Sequence, residues 1–246
     1  MKKLATYLSF FLLLMFLVFL YGFTTNRNGA KKVKNTVVEF AAGDNNFLTH
    51  SMVDKLLIQN NEFVKNQPKR LVDLHFLEAN VSANPYVEKT AVFLTVDGVL
   101  KTTIKQRTPI ARIVDKDTSF YVDKYGVEIP LSTNFSARVP LVLGVREPEE
   151  IKELTTLIKS INSNSFFAKE IIAIQKDAQN EYTFTVRSGD YKIIFGELTD
   201  ASIKFKKLTA FYNKAFTDKT INNYKAINVK YHNQVVCTKQ NQDGKQ

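Results

Sequence analysis

The residues that could hold a metal or act as nucleophiles are few and lie far apart along the chain. His50, His75 and His232 fall at a helix start, inside a helix and in a strand region. A zinc site on a helix needs two histidines one turn apart, and no HxxxH spacing links these three. The single cysteine, Cys237, cannot form an intrachain disulfide and is interpreted as a strand-end residue. The sequence therefore predicts no metal site.

Motifs for nucleophilic catalysis or nucleotide binding do not occur in the sequence. There is no GxSxG, no P-loop and no GxGxxG. Ser132 and Ser188 lie in turn-like contexts and are interpreted as turn formers. Glu147, Glu149 and Glu150 precede an amphipathic helix, where carboxylates favour the positive end of the helix dipole. Nothing points to glycosidase or protease chemistry, and we predict neither a cofactor nor an enzymatic activity.

The chain is basic, with a formal charge of +10 over 246 residues. A basic balance suits acidic partners such as nucleic acid or a membrane surface. However, no aromatic RNA-binding signature, helix-turn-helix spacing or zinc-finger spacing is present, so we expect a solvated basic surface and no nucleic-acid partner. The densest basic groups are Lys31, Lys32 and Lys34, and Lys204, Lys206 and Lys207.

An uncharged apolar run occupies residues 4–23, after the short basic head of residues 1–3. About 20 helical residues cross a hydrocarbon core of about 30 Å. A cleaved signal peptide is the competing interpretation, but residues 21–26 lack an Ala-x-Ala site, which favours an uncleaved anchor.

Charge does not settle the orientation. The signal-anchor form favours a cytoplasmic N-terminus, with the bulk of the chain outside. Residues 24–34 are interpreted as a hydrated juxtamembrane linker.

A small α+β domain is predicted to follow the linker. Residues 36–41 form a strand and a short helix begins near Thr49 or Ser51, while residues 60–69 form a loop. A second helix has Leu71, Leu74, Leu77 and Val81 on one face and stops at Asn84-Pro85. Two strands then meet at the turn Asp97-Gly98. The order strand, helix, helix, strand, strand predicts helices on one face of a three-stranded sheet. The outward residues Lys101, Lys105 and Arg107 are expected to be solvated.

The remainder of the chain is rich in strands and contains two predicted helices. The helices span residues 149–161 and 201–215, and a hairpin turns at Ser188-Gly189-Asp190. Residues 224–236 are predicted to form one long strand region, followed by a polar, disordered tail. A final strand at a sheet edge offers unpaired N–H and C=O groups to a partner strand.

Four segments carry a resemblance that extends over most of the chain. They are Asn84-Pro85-Tyr86-Val87, Arg107-Thr108-Pro109-Ile110-Ala111, residues 120–131 with Asp123 and Gly126, and Ile227-Asn228-Val229-Lys230-Tyr231. In order and spacing they resemble the FtsQ/DivIB cell-division family. Two departures are Asn228 in place of an aspartate and the polar tail after Cys237.

The resemblance implies an α+β protein with one N-terminal transmembrane helix, a small POTRA-type domain and a larger mixed β-sheet domain with two helices. The implied domains are a head (1–3), an anchor (4–23), a linker (24–34), a POTRA domain (35–112), a β domain (113–237) and a polar tail (238–246).

The same resemblance implies a non-enzymatic divisome scaffold at the division septum. It would be a single-pass type II protein of the plasma (inner) membrane that links other divisome components and binds FtsB/DivIC-type and FtsL-type partners. In the family the last strand of the β domain takes an added strand of the FtsB-type partner. The partner-binding residues implied here are Tyr231, His232, Asn233, Gln234, Val235 and Val236.

Two other classes of protein compete with the scaffold. A POTRA-bearing outer-membrane transporter would need a large barrel, for which too few residues follow the small domain. A membrane-anchored extracytoplasmic cell-wall enzyme would need a deep polar pocket with perturbed carboxylates or a nucleophile pair. A scaffold would instead show shallow surfaces and an open edge at its final strand.

Overall fold

A computed structural model describes residues 2–41, 43, 47–59, 62–115 and 118–240. The chain divides into two compact units, Met1–Gln106 and Arg107–Gln246. The first contains a long N-terminal helix and a small three-stranded sheet, and the second contains a nine-stranded sheet with helices. The protein is thus of the α+β class, as the sequence predicts.

The N-terminal helix α1 spans Lys2–Ala30. Among the residues described, its segment Tyr7–Ala30 is long and apolar enough to cross a membrane, with a mean hydropathy of 2.2. The helix continues past the predicted end of the anchor at residue 23. Residues 24–30 of the predicted linker are therefore helical and mostly exposed, and they contain no proline to stop the helix.

Three strands and two helices build the small unit. The strands β1 (Asn35–Phe40), β4 (Val87–Leu94) and β5 (Val99–Gln106) form a sheet in the order β1-β5-β4. The pair β1–β5 is parallel, and β4–β5 is a hairpin with the predicted turn at Gly98, which has φ +90°. The inward residues Leu100, Thr102 and Ile104 are fully buried, as their alternation predicts.

The two helices begin at capping side chains. Helix α2 (His50–Leu56) is capped by Thr49, and α3 (Leu74–Ser82) by Asp73, whose carboxylate accepts from the N–H of Phe76. Leu71 was expected on the helix face, but it lies in a single 3-10 turn before the cap and is exposed. Between the helices, where a loop was predicted, β2 (Ile58–Gln59) and β3 (Glu62–Phe63) form a short ribbon.

The large sheet has the strand order β14-β13-β12-β11-β10-β9-β6-β7-β8. Its strands are β6 (Pro109–Asp115), β7 (Thr118–Asp123), β8 (Glu128–Pro130), β9 (Leu141–Leu143), β10 (Ile171–Lys176), β11 (Tyr182–Val186), β12 (Lys192–Gly196), β13 (Tyr224–Asn228) and β14 (Val236–Lys239). The short strand β9 pairs in parallel with both β6 and β10. The predicted domain limit at residue 112 falls inside β6, because Pro109 takes the first position of a strand, where a missing N–H is tolerated.

Helices α4 (Pro148–Asn162), α5 (Phe167–Glu170) and α6 (Ala201–Thr217) complete the second unit. Both long helices match the predicted spans to within two residues, and the one-turn helix α5 was not predicted. Their apolar faces are buried with the sheet in one core, in which Leu154, Ile158 and Leu208 are almost fully buried.

The last part of the chain differs from its prediction. Residues 224–236 form not one long strand but the antiparallel pair β13–β14, with a turn at residues 231–233. The strand breaks at Asn228, because its side-chain oxygen accepts a hydrogen bond from the N–H of Lys230 at 3.0 Å and bends the backbone. Thr238 and Lys239, assigned to the polar tail, belong to β14. Residues 241–246, predicted to be disordered, lie outside the described part.

Candidate functional site

Strand β14 lies at one end of the nine-stranded sheet. On its inner side it pairs with β13 in the register Ile227–Cys237 and Asn228–Val236. No strand of the described residues covers its outer side. The outward N–H and C=O groups of Val236–Lys239 are therefore available to another chain, while Cys237 packs against the core.

The loop between β13 and β14 is held in place by hydrogen bonds from other elements. Lys207 of α6 donates from Nζ to the carbonyl of Val229 at 3.0 Å and to the carbonyl of Tyr231. Val229 is fully buried, and its N–H donates to the carbonyl of Ile194 at 3.0 Å. The Lys230 ammonium pairs with Glu181. These contacts fix the first half of the loop on the sheet.

The six predicted partner-binding residues occupy this loop and the start of β14. Tyr231 is 50% exposed, and His232, Asn233 and Gln234 are exposed in and after the turn. Val235 is half-buried against the core. Of the six, only Val236 (41% exposed) belongs to the edge strand. The edge itself is thus displaced toward the C-terminus, to residues 236–239, relative to the predicted segment.

A groove of about 360 Å³ runs between α6 and the second half of the loop. Phe211 and Tyr224 form its apolar wall, with ring centroids 5.5 Å apart. Lys207, Lys214 and Asp218 provide charged groups along the helix side. The groove lies beside Asn233, Gln234 and Val235, so it extends the surface offered by β14.

Sequence reasoning missed the contribution of α6 to this surface. Phe211 was expected to face the sheet, but it is half-buried and lines the groove. Lys207, Phe211 and Lys214 lie four and three residues apart and therefore on one helix face, but this spacing does not indicate which element the face contacts.

The basic group on α6 is not the uniformly solvated surface that was predicted. Lys206 is exposed, but Lys204 is buried over the ring of Phe195 and donates to the carbonyl of Glu197 at 2.7 Å. Burial, with the charge of Lys207 nearby, lowers the pKa of Lys204. Lys207 is engaged with the loop. Only one of these three lysines is thus freely solvated.

The outward residues of the first hairpin are also not simply solvated. Lys101 pairs with Glu39 at 2.7 Å and Lys105 with Glu88 at 2.8 Å. Arg107 is largely buried and pairs with Asp123 at 2.7 Å. The expectation of a solvated face is wrong because acidic side chains on neighbouring strands lie opposite these bases.

Burial raises the pKa of the Cys237 thiol, which remains protonated at neutral pH. A protonated thiol is a poor nucleophile. Cys237 lies within β14 and contributes packing to the core, in agreement with its interpretation as a strand residue.

Comparison with known proteins gives a family match and matches to ten solved chains, one of which is described here. The family profile "FtsQ/DivIB, C-terminal related" matches residues 108–238. The major extracytoplasmic domain of the trans isomer of the cell-division protein DivIB from Geobacillus stearothermophilus is 15% identical. That likeness covers 33% of this chain and 71% of the DivIB chain, with a TM-score of 0.27. Comparison with curated protein sequences found no match.

The family match extends from just before β6 to Thr238, within β14. It therefore includes the nine-stranded sheet, the loop held by Lys207 and the open edge. Because residues 108–238 are more than half of the 246 residues, the chain belongs to the FtsQ/DivIB C-terminal related family of cell-division proteins.

Proposed function

We propose that this single-pass membrane protein is a divisome scaffold whose edge strand β14 takes an added strand from an FtsB/DivIC-type partner. The observation that carries the proposal is the open outer side of β14 beside an apolar groove. Strand addition gains affinity from main-chain hydrogen bonds and specificity from pockets that receive side chains. The groove along α6 provides such a pocket, and the exposed Lys214 at its rim favours acidic residues in the partner.

A photocrosslinking experiment tests the position of this contact. A photoreactive amino acid at Thr238, exposed in β14, is expected to crosslink the full-length protein to its FtsB/DivIC-type partner in cells. The matched control is Glu128, exposed in β8 at the opposite edge of the same sheet. Equal crosslinking from both edges, or none from Thr238, would contradict strand addition at β14.

Tyr231→Ala tests the loop next to the edge. Because the ring is half exposed, its removal should weaken partner capture with little effect on folding. Tyr125→Ala removes another exposed tyrosine, from the β7–β8 turn, and serves as the control. Pull-down of the partner by full-length protein in detergent provides the measurement. Wild-type capture by Tyr231→Ala would remove Tyr231 from the site.

We also propose that an FtsL-type protein and other divisome components bind this chain, and that the chain is located at the division septum. The chain would be oriented with its two folded units outside the cytoplasm. A fluorescent protein fused before the membrane helix provides the test. It should concentrate at midcell in dividing cells, and an even distribution along the membrane would count against the proposal.

A non-enzymatic role is also part of the proposal. The groove beside β14 is lined mainly by apolar and uncharged polar side chains, and the described residues that line it include no histidine or cysteine that could act as a nucleophile or general base beside its single aspartate. We expect purified full-length protein to release no soluble fragments from peptidoglycan. Release of fragments would support the cell-wall enzyme instead.

A further inference from the structure

The segment that follows the membrane helix is fixed to the small unit by backbone hydrogen bonds on both sides. Val33 is fully buried, and it exchanges hydrogen bonds of 2.9 Å with Asn66 and Gln67. The N–H of Lys34 donates to the carbonyl of Gly98 at 2.7 Å. A chain held in this way does not act as a flexible tether.

Lys69 joins the end of α1 to the tip of the β4–β5 hairpin. Its ammonium group donates to the carbonyls of Thr95 and Val96 at 2.8 and 2.6 Å, and to Oδ1 of Asn28 at 3.4 Å. These three bonds use all the donors of a lysine side chain. The last turn of α1 and the hairpin tip are therefore held side by side.

An open basin of about 570 Å³ lies between these two elements. It is lined by Thr24, Thr25, Arg27, Asn28, Lys31 and Val96. Arg27 lies in the last turn of α1 and Lys31 directly follows the helix; both are exposed, and neither forms an ion pair within the described part of the chain. Val96 is 72% exposed at the hairpin tip. Asp97 lies in the same turn but does not line the basin.

The basin lies at the depth of lipid headgroups if the apolar run fills the hydrocarbon core. Arg27 is four residues beyond Phe23, which places it about 6 Å from the end of the run. Headgroups add about 5–7 Å to each side of the hydrocarbon core. Two cations that form no ion pair with the described residues, and one exposed apolar side chain, thus face a layer that contains phosphate groups and the ends of acyl chains.

We propose that this basin binds the phosphate headgroup of an anionic phospholipid in the bilayer that α1 spans. Arg27 presents a planar fork that matches two phosphate oxygens, and Lys31 adds a second charge. Val96 contacts the adjoining acyl chain. Because the surrounding hydrogen bonds fix α1 to the hairpin, lipid binding also sets the orientation of the small unit at the membrane.

Lipid selectivity of the full-length protein in proteoliposomes tests this site. Spin-labelled phosphatidylglycerol and phosphatidylcholine report how strongly each lipid associates with the protein. The wild-type protein should prefer phosphatidylglycerol, and R27Q/K31Q should lose about fivefold or more of that preference. High salt should reduce the wild-type preference in the same direction.

A control variant with the same change in net charge distinguishes lipid binding at the basin from a general effect of the protein's charge. K192Q/K225Q removes two exposed lysines of the second unit and should keep the wild-type preference. Equal losses in the two double variants, or no preference in the wild-type protein, would overturn the proposal. Thermal unfolding of each variant checks that the fold is retained.

The position of Val96 can be measured independently. In a Cys237→Ser background, an environment-sensitive fluorophore on Val96→Cys should shift to the blue in vesicles that contain phosphatidylglycerol. The shift should be smaller when R27Q/K31Q is added. A fluorophore spectrum that does not depend on lipid composition would place the hairpin tip away from the bilayer and contradict the proposed contact.

Discussion

At the scale of single residues, Asp123 connects two of the segments that carried the family resemblance. One carboxylate oxygen accepts from Arg107 at 2.7 Å, and the other accepts from the N–H groups of Tyr125 and Val127. Gly126 completes the turn with φ +80°, a conformation that side chains other than glycine rarely adopt. These residues hold the start of the large sheet together and lie outside the candidate partner site.

Asp123→Asn should destabilise the second unit by about 2–3 kcal/mol, because Arg107 is left largely buried without its charge partner. The side-chain oxygen of the asparagine can still accept hydrogen bonds from the backbone N–H groups of the turn, so the expected loss of stability comes from the ion pair alone. Thermal unfolding of the detergent-solubilised chain measures the change. Arg146→Gln is the control, since its pair with Asp115 is at the surface and worth under about 1 kcal/mol.

Glu150 makes stability depend on pH. It closes the capping box of α4, and its pKa is lowered from 4.5 to about 2 by a hydrogen bond from Lys176, with smaller effects from the N–H groups of Arg146 and Glu147. A carboxyl group with a lowered folded-state pKa stabilises the fold above its unfolded pKa. That contribution is lost as pH falls from about 4.5 to about 2.

We therefore expect Glu150→Gln to cost about 1–3 kcal/mol at pH 7, since the amide keeps the cap but loses the charged pair. The difference in melting temperature from the wild type should shrink through that pH window. Glu149→Gln, at an exposed neighbour, controls for loss of charge at the helix start. A difference that stayed constant with pH would exclude the Lys176 pair as its cause.

At the scale of elements, the sequence predicts helices better than it predicts the end of the sheet. Helices α4 and α6 can be predicted from the spacing of their apolar residues, because a long amphipathic pattern with the helical period can bury its apolar face only as a helix. The break at Asn228 depends on one side chain that accepts a bond from the backbone, which alternation over residues 224–236 does not reveal. Five of the six predicted partner-binding residues consequently lie in the loop before the edge strand, and only Val236 lies in it.

The contribution of α6 to the site could not be predicted for a different reason. Lys207 contacts the carbonyls of Val229 and Tyr231, more than twenty residues away in the sequence. Such contacts depend on tertiary packing and leave no local pattern. The same holds for Arg107 and Asp123, whose pairing requires β6 and β7 to lie side by side.

Lys207→Gln should loosen the loop between β13 and β14 without unfolding the unit. Amide hydrogen exchange should become faster at residues 229–233, because the loop carbonyls lose their charged donor. Lys206→Gln, an exposed neighbour on the same helix, should leave exchange in the loop unchanged. If both variants exchange alike, Lys207 does not hold the loop.

At the scale of the whole molecule, one membrane helix precedes two folded units. Neither unit has a disulfide, since Cys237 is the only cysteine. Each unit is therefore stabilised by its own buried core rather than by covalent links. The sequence distinguishes a small α+β part from a strand-rich remainder, and the two units follow one another in that order along the chain.

The orientation of the chain gives a prediction at this scale. In a Cys237→Ser background, Lys225→Cys places an exposed thiol on the second unit. A membrane-impermeant maleimide should label it in cells whose plasma membrane is intact and accessible. Lys3→Cys, in the basic head, should be labelled only after that membrane is permeabilised. The reverse pattern would place the folded units in the cytoplasm.

The three residues of β9 determine how the large sheet can assemble. The meander β6–β8 lies on one side of Leu141–Leu143, and β10–β14 lie on the other. Most strands within each side pair with a neighbour close in sequence, whereas β9 must join both sides through parallel ladders. Strand pairs that are far apart in the sequence form more slowly, because closing the intervening loop lowers the conformational entropy of the chain before any stabilising contact has formed. We therefore expect the parallel pairings of β9, like that of β12 with β13, to form after the local hairpins of the second unit.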